Sequence, residues 1–343
     1  MDSISQIALG AAVGVAVMGR RTAVWKAALW GGVCGTLPDL DAFVDFGDPI
    51  RNMTMHRSDS HALLWLSLAA PPIAAGIARL HGEWDRFGRW WLAVWLVLLT
   101  HPLLDVMTIY GTQLLRPFTD HPYGVGSIFI IDPIYTLPLL AGVAGALRLG
   151  HAGGLRWNTA GLVLSTAYLA WSAAAQQHVA TVARTSLQAQ GLTAERLLAT
   201  PTAFNTVLWR IVAIDGDTYR EGFYSLLDGT GTEKNPDGQI RFDVFPRGTA
   251  LYESLSGSWP VQRIAWFSHG FFRMTEQDDG VVRIADLRMG QEPYYFFDFT
   301  VARRQSPTLG PIEPQRVGGR PDIERGLRWL WRRALGEALP PPR

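Results

Sequence analysis

Every long apolar run in this 343-residue chain falls before residue 177. Six such runs stand in order, at 4–18, 23–37, 61–80, 90–109, 127–149 and 157–175. A bilayer core about 30 Å thick is crossed by about 20 apolar residues in a helix, because each backbone polar group must find its partner inside the segment. The first two runs are short for that and read as a hairpin that is only partly inserted. The pattern predicts a membrane bundle of about four to six transmembrane or re-entrant helices over 1–176. Asp2 precedes the first run and Arg20-Arg21 follow it, which is not the order of a secretory signal peptide.

The rest of the chain has the composition of a soluble protein. Residues 177–200 read as a connecting amphipathic helix. From 201 the period changes to that of strands, with short β-branched and aromatic runs at 206–214, 218–226, 262–267, 271–276, 281–287 and 294–301. Asp215-Gly216-Asp217 and Gln277-Asp278-Asp279-Gly280 separate runs as hairpin turns. Residues 321–339 close the chain as an amphipathic helix. The expected second domain, 201–343, is therefore a soluble α+β domain with an antiparallel sheet. A net charge of +1 gives no basic surface for nucleic acid, and the single cysteine, Cys34, excludes an intrachain disulfide.

Ionisable residues at a membrane edge are costly and mark function. The stretch 36–61 carries Asp39, Asp41, Asp45, Asp48, Asp59, His56 and His61, and a later apolar run carries His101-Pro-Leu-Leu-Asp105. His101 and Asp105, four apart on a helix, share one face and make half of a Zn²⁺- or Mn²⁺-type site. His56 and His61, five apart, lie about 140° out of line on a regular helix, so His56 is placed on the loop and His61 on the first turn of the third segment. Asp39 and Asp41 share a face only if the chain is extended after Pro38. Each has a structural reading alone: a helix cap, an interfacial histidine, a His–Asp pair without metal. Together Asp39, Asp41, His56, His61, His101 and Asp105 are expected to hold one to three divalent ions, with Asp59 as a general base or further ligand and Arg57 as a clamp for a phosphate oxygen. Tyr135 is a weaker candidate for stabilising a leaving oxygen.

MDSISQIALGAAVG, GTLPDLD, HRSDSH, HPLLD…GTQLLRPF and IDPIYTLPLL resemble the membrane-bound metal-dependent hydrolase family, also called YdjM-like, over about residues 1–150. The stretches FNTVLWRIVAIDGDTYREGFYSL and FSHGFF…IADLRMG resemble the soluble tail of one branch of it. The family pattern HRG-x-[ST]-H-S is altered at Ser58 and Ala62. The resemblance implies a metal-dependent hydrolase of the bacterial inner membrane, and the His and Asp ligand set makes zinc the first expectation for the ion and manganese the second. A more distant likeness is to zinc-dependent phospholipases C, whose H-x-x-x-D pair His101 and Asp105 match. The expected substrate is a lipid phosphoester. The alternatives are an amide or ester hydrolase of ceramidase type, and a non-enzymatic metal-binding membrane protein with an interaction domain. Arg20, Arg21, Lys26, Arg79, Arg86, Arg89, Arg148 and Arg156 fall on one side of the predicted crossings, against Arg51, Arg57 and Arg116 on the motif side. The positive-inside rule then puts the site and the C-terminal domain outside the cytoplasm.

Overall fold

A computed structural model covers the chain and describes residues 1–229, 239–319 and 322–343, with the side chains of 151–152 left aside. It divides into two compact units. The first is Met1–Val44, His56–Ala173 and Ala203–Asn205; the second is Asp45–Met55, Ala174–Thr202 and Thr206–Arg343.

The first unit is helical. Asp2 caps α1 (Ser3–Met18), accepting from the backbone N–H groups of Ile4 and Ser5. Antiparallel to it runs α2 (Val24–Thr36). Glycines let the two backbones touch: a Cβ on Gly10 would stand 2.3 Å from the Gly31 carbonyl oxygen, and one on Gly14 would stand 2.4 Å from that of Ala27. Small residues at this spacing are how helices pack closely in a membrane. A 3₁₀ turn, Pro38–Phe43, follows α2. After α3 (Pro49–Met55), in the second unit, a further 3₁₀ turn at Asp59–His61 leads into α4 (Leu63–Leu80) and α5 (Phe87–Val106). The helix α6 (Pro133–Ala189) bends at Gly150, where φ is 67° and ψ −160°, a conformation glycine adopts without strain. Its arms fold back on each other over another glycine seam, Gly142 and Gly161.

Among the described residues three helices are long and apolar enough to cross a membrane: Leu63–Leu80, Trp84–Val106 and Pro133–Gly150. The 16 residues of α1 reach only about 24 Å, short of the hydrocarbon core. Only 28% of the Leu63–Leu80 window is buried inside the protein, and what remains outside is apolar, including Leu64, Trp65 and Leu68. A helix that is apolar on both its buried and outer faces belongs in lipid. At the end of the bundle away from Asp105, buried Glu83 accepts from Thr22 Oγ1 (2.6 Å), Lys26 Nζ (3.0 Å) and Trp90 Nε1 (3.0 Å), pinning the α1–α2 turn to α5.

The second unit holds two four-stranded antiparallel sheets. The first, in order β1-β2-β3-β4, comprises Arg196–Pro201, Leu208–Asp215, Thr218–Ser225 and Phe242–Pro246. The second runs β10-β9-β6-β5, with β5 Phe272–Glu276, β6 Val281–Asp286, β9 Asp298–Gln305 and β10 Thr308–Arg316; β7 (Gly290–Gln291) and β8 (Tyr294–Tyr295) form a separate ribbon. Strand β2 is covered on both faces, so it reads as an apolar run interrupted by Arg210, whose charge is paired with Glu221. Trp209 and Ile211 pack against Ala175, Val179 and Ala183 of α6, while Val212 and Ile214 pack against Phe271, Ala285 and Leu287. Three helices complete the unit: α7 (Thr249–Ser254), α8 (Trp259–Phe267) and α9 (Ile323–Ala334).

Two elements read from the sequence beyond residue 176 take another form in the structure. The helix read over 177–200 ends at Ala189, and Arg196–Pro201 is instead the edge strand β1, paired with β2. The strand read at 262–267 is α8: Pro260 sits in its first turn, and Val261, Ile264 and Phe267 bury at a spacing of three, which is helical. The helix read from 321 is α9; residue 321 lies outside the described residues.

Candidate metal centre

Four side chains meet where α5 ends. Asp39 comes from the 3₁₀ turn after α2, His61 from the 3₁₀ turn before α4, and His101 and Asp105 from one face of α5. Their donor atoms all lie within 4.8 Å of one another, so this group could hold a metal ion. The spacing is informative. Nε2 of His61 is 3.2 Å from Nε2 of His101, 3.4 Å from Asp39 Oδ1 and 3.3 Å from Asp105 Oδ2. Nε2 of His101 is 3.5 Å from Asp39 Oδ1 and 3.4 Å from Asp105 Oδ2. A tetrahedral ion with bonds of 2.0–2.1 Å needs its donors about 3.3–3.4 Å apart.

The outer contacts set the ring tautomers. His101 Nδ1 donates to the Gly35 carbonyl oxygen at 2.7 Å, which leaves Nε2 with a lone pair. His61 Nδ1 lies 2.9 Å from Ser60 Oγ, and that hydroxyl donates to Asp41 Oδ2 at 2.6 Å. With its hydrogen given to Asp41, Ser60 accepts from Nδ1–H, and His61 Nε2 is likewise left with a lone pair. Asp105 Oδ2 is buried and has no hydrogen-bond partner among the described residues. Two lone pairs and two carboxylate oxygens therefore face one point with no proton between them. Buried acceptors so arranged are costly without a cation.

Asp105 is held from its other oxygen. The amino group of Met1, the Gln6 amide (3.1 Å) and Arg57 Nη2 (3.2 Å) all meet Oδ1. Burial pushes the Asp39 carboxyl up, but whenever His101 and His61 carry a proton at Nε2, their hydrogen bonds and charge outweigh it and hold the group well below the usual carboxylate range. Asp41 shows the same balance: burial raises it, and His56, His61 and Ser60 bring it below its ordinary value.

The remaining sequence candidates divide clearly. Asp41 and His56 stand beside the group but outside it, bonded to each other (Oδ1 to Nδ1, 2.8 Å), with Asp41 also accepting from the Arg57 N–H at 2.9 Å. The turn after Pro38 is 3₁₀ and not extended, so residues two apart point about 240° apart, and Asp39 and Asp41 face different partners. His61 sits one turn before α4, on its own 3₁₀ segment. Arg57 is buried 3% exposed, with Nη1 near Thr108 Oγ1 (3.4 Å) and its guanidinium over Tyr110; it braces Asp105 from behind. Asp59 is exposed and bonded to Arg116 (2.8 Å), outside the group. Tyr135 packs into the apolar core with Leu139. Gln6 was missed. Its signal was a polar side chain on an apolar helix, where burial demands a partner.

A helical membrane bundle with a buried His₂Asp₂ group open toward one end defines the class. The chain belongs to the YdjM inner membrane protein family, whose model it matches over residues 1–179. It is also 28% identical over 163 residues to the uncharacterized protein YfhP of Bacillus subtilis, an alignment that takes in 45% of this chain and 47% of YfhP. The chain thus spans about half the length of that curated relative. No solved structure matches, and the comparisons give no support to a likeness to zinc-dependent phospholipases C.

Proposed function

We propose that this protein is a membrane hydrolase that uses a divalent ion, Zn²⁺ before Mn²⁺, to cleave a phosphoester of a lipid. The tetrahedral spacing of Asp39, His61, His101 and Asp105 carries the reading. Two imidazoles with two carboxylates suit Zn²⁺. An ion held there supplies Lewis acidity toward a phosphoryl oxygen and makes a nucleophile of water near neutral pH. His61 and His101 point Nε2 inward because Ser60 and Gly35 fix their rings, and Arg57 and Gln6 keep Asp105 turned toward the group. Asp39 is the donor at the open side, with its side chain 20% exposed against 0–1% for the other three. Its turn also carries Leu40 and Phe43, 54% and 87% exposed. Apolar side chains beside the opening favour a substrate presented by the bilayer. The basic helix ends lie away from the site, which supports placing the site outside the cytoplasm.

One observation favours a second reading. Four protein donors fill a tetrahedron, as in structural zinc sites, whereas hydrolytic sites keep a position open. The hydrolase reading therefore requires Asp39 to swing aside or the coordination to expand. The test is purified full-length protein in lipid nanodiscs, stripped and reloaded with Zn²⁺ or Mn²⁺, given phosphodiester, phosphomonoester, ester and amide lipids. Metal-dependent phosphoester cleavage lost in Asp39→Asn supports the proposal. Cleavage of amides or esters alone points to a ceramidase-type enzyme. Metal loss that unfolds the protein with no cleavage of any bond establishes a structural or sensing ion.

A further inference from the structure

The second unit contains a cleft of about 550 Å³, the size of a small-molecule site, in which two guanidinium groups meet aromatic walls. Arg196 Nη1 donates to the His269 carbonyl oxygen (3.2 Å), and Arg247 Nη2 donates to that of Gly270 (3.0 Å). Consecutive carbonyls of one turn therefore hold both guanidiniums side by side. Residue 270 must be glycine for this: its φ is 82°, and a Cβ would stand 3.0 Å from Arg196 Nε. Arg247 also lies over the Phe272 ring, and Tyr252 and Trp266 line the same cleft.

Neutral carbonyls do not cancel either positive charge, and Glu195 and Asp217 act on Arg247 only from a distance, without an ion pair. The nearby carboxylates are engaged elsewhere: Asp217 accepts from the Thr249 N–H (2.8 Å) and hydroxyl (2.7 Å), and Glu195 accepts from the Gly216 N–H (3.2 Å). Among the described residues neither Arg196 nor Arg247 forms an ion pair. Each guanidinium carries five N–H donors and uses only one or two on carbonyls. Two such forks offer more donors than one carboxylate accepts and match the oxygens of a phosphate group.

We infer that this cleft binds the phosphate of a small ester whose apolar or ring portion lies against Tyr252 and Trp266. The phosphate belongs either to a soluble ester or to an anionic lipid headgroup. The experiment titrates phenyl phosphate into full-length protein in phosphatidylcholine nanodiscs, read by calorimetry. Saturable binding is expected, weakened roughly tenfold or more in both Arg196→Gln and Arg247→Gln, since hydrogen bonds to charged groups are the strong ones. Arg247 ties down backbone carbonyls, so Arg196→Gln, at an exposed side chain with one such bond, decides the matter if Arg247→Gln fails to fold. Replacing a third of the lipid by phosphatidylglycerol separates the sources: suppressed phenyl phosphate binding marks the headgroup as occupant, and unchanged binding marks a soluble ester. No saturable binding, or binding that survives the Arg196 substitution, overturns the inference. Neither arginine belongs to the metal centre, so the result stands apart from any test of hydrolysis.

Discussion

The hydroxyl of Ser60 connects Asp41 to the inner ring of His61, so Ser60→Ala should weaken metal binding by about 10- to 100-fold without changing membrane insertion. His101→Ala removes a donor outright and should leave the purified protein with little bound metal, whereas His178→Ala, at an exposed position on α6, should retain it. Metal content by plasma mass spectrometry decides both, and full retention in His101→Ala would sink the metal-site reading. A different carboxyl controls pH behaviour in the second unit. Burial pushes Asp298 up, only partly offset by Arg273 and Arg283, and its Oδ1 has no hydrogen-bond partner among the described residues. A carboxyl whose folded pKa lies above its unfolded value binds a proton on folding. Its contribution is therefore unfavourable above the unfolded value and is relieved as pH falls. Asp298→Asn should raise the thermal midpoint near neutral pH and change it little in acid; a gain that is equal at both would refute the assignment. At this scale the sequence was read well where helix geometry decides, as for His101 and Asp105. It was read poorly where a 3₁₀ turn replaced an extended segment and sent Asp41 to Ser60 and His56 and away from the centre.

Elements here are fixed by close backbone contact and by buried charge. Gly31→Ala places a methyl group against the Gly10 carbonyl at 2.2 Å and should destabilise the bundle by about 1–3 kcal/mol. In the second unit, Arg210 and Glu221 form a buried pair at 2.6 Å on neighbouring strands. Glu221→Ala would strand the guanidinium in the core, at a cost of about 3–5 kcal/mol. Thermal or denaturant unfolding of the full-length protein checks each, and a change under about 0.5 kcal/mol in either would contradict the packing described. The membrane helices were legible from the length of their apolar runs. The conversion of 262–267 from strand to α8 was legible too, in Pro260 and the spacing of Val261, Ile264 and Phe267, but aromatic and β-branched content outweighed that spacing. The strand at 196–201 was not, because only its pairing with β2 distinguishes it from the end of a helix.

For the molecule as a whole, the uneven charge at the two ends of the bundle makes a directional prediction. Phe118→Cys, on the site side and 81% exposed, should react with a membrane-impermeant maleimide in intact cells. Arg21→Cys, in the turn after α1, should react only after permeabilisation. The native thiol, Cys34, is buried and gives no background. The reverse pattern would place the site in the cytoplasm. No run or spacing foretold that Asp45–Met55 belongs to the second unit; that follows from contacts between segments distant in sequence.

The His101 ring is oriented by the carbonyl of Gly35, and a Cβ on that same glycine would meet the Gln6 carbonyl oxygen at 2.7 Å and the Gly10 Cα at 3.2 Å. One backbone position thus serves both the packing of α1 on α2 and the aim of a donor. Under thermodynamic reciprocity, whatever tightens one must tighten the other by the same free energy. Gly35→Ala should then loosen the ion, and the stability it costs should be larger with saturating ion than without it. The affinity for the ion becomes a gauge of how well two helices fit, readable without touching either helix's lipid-facing side.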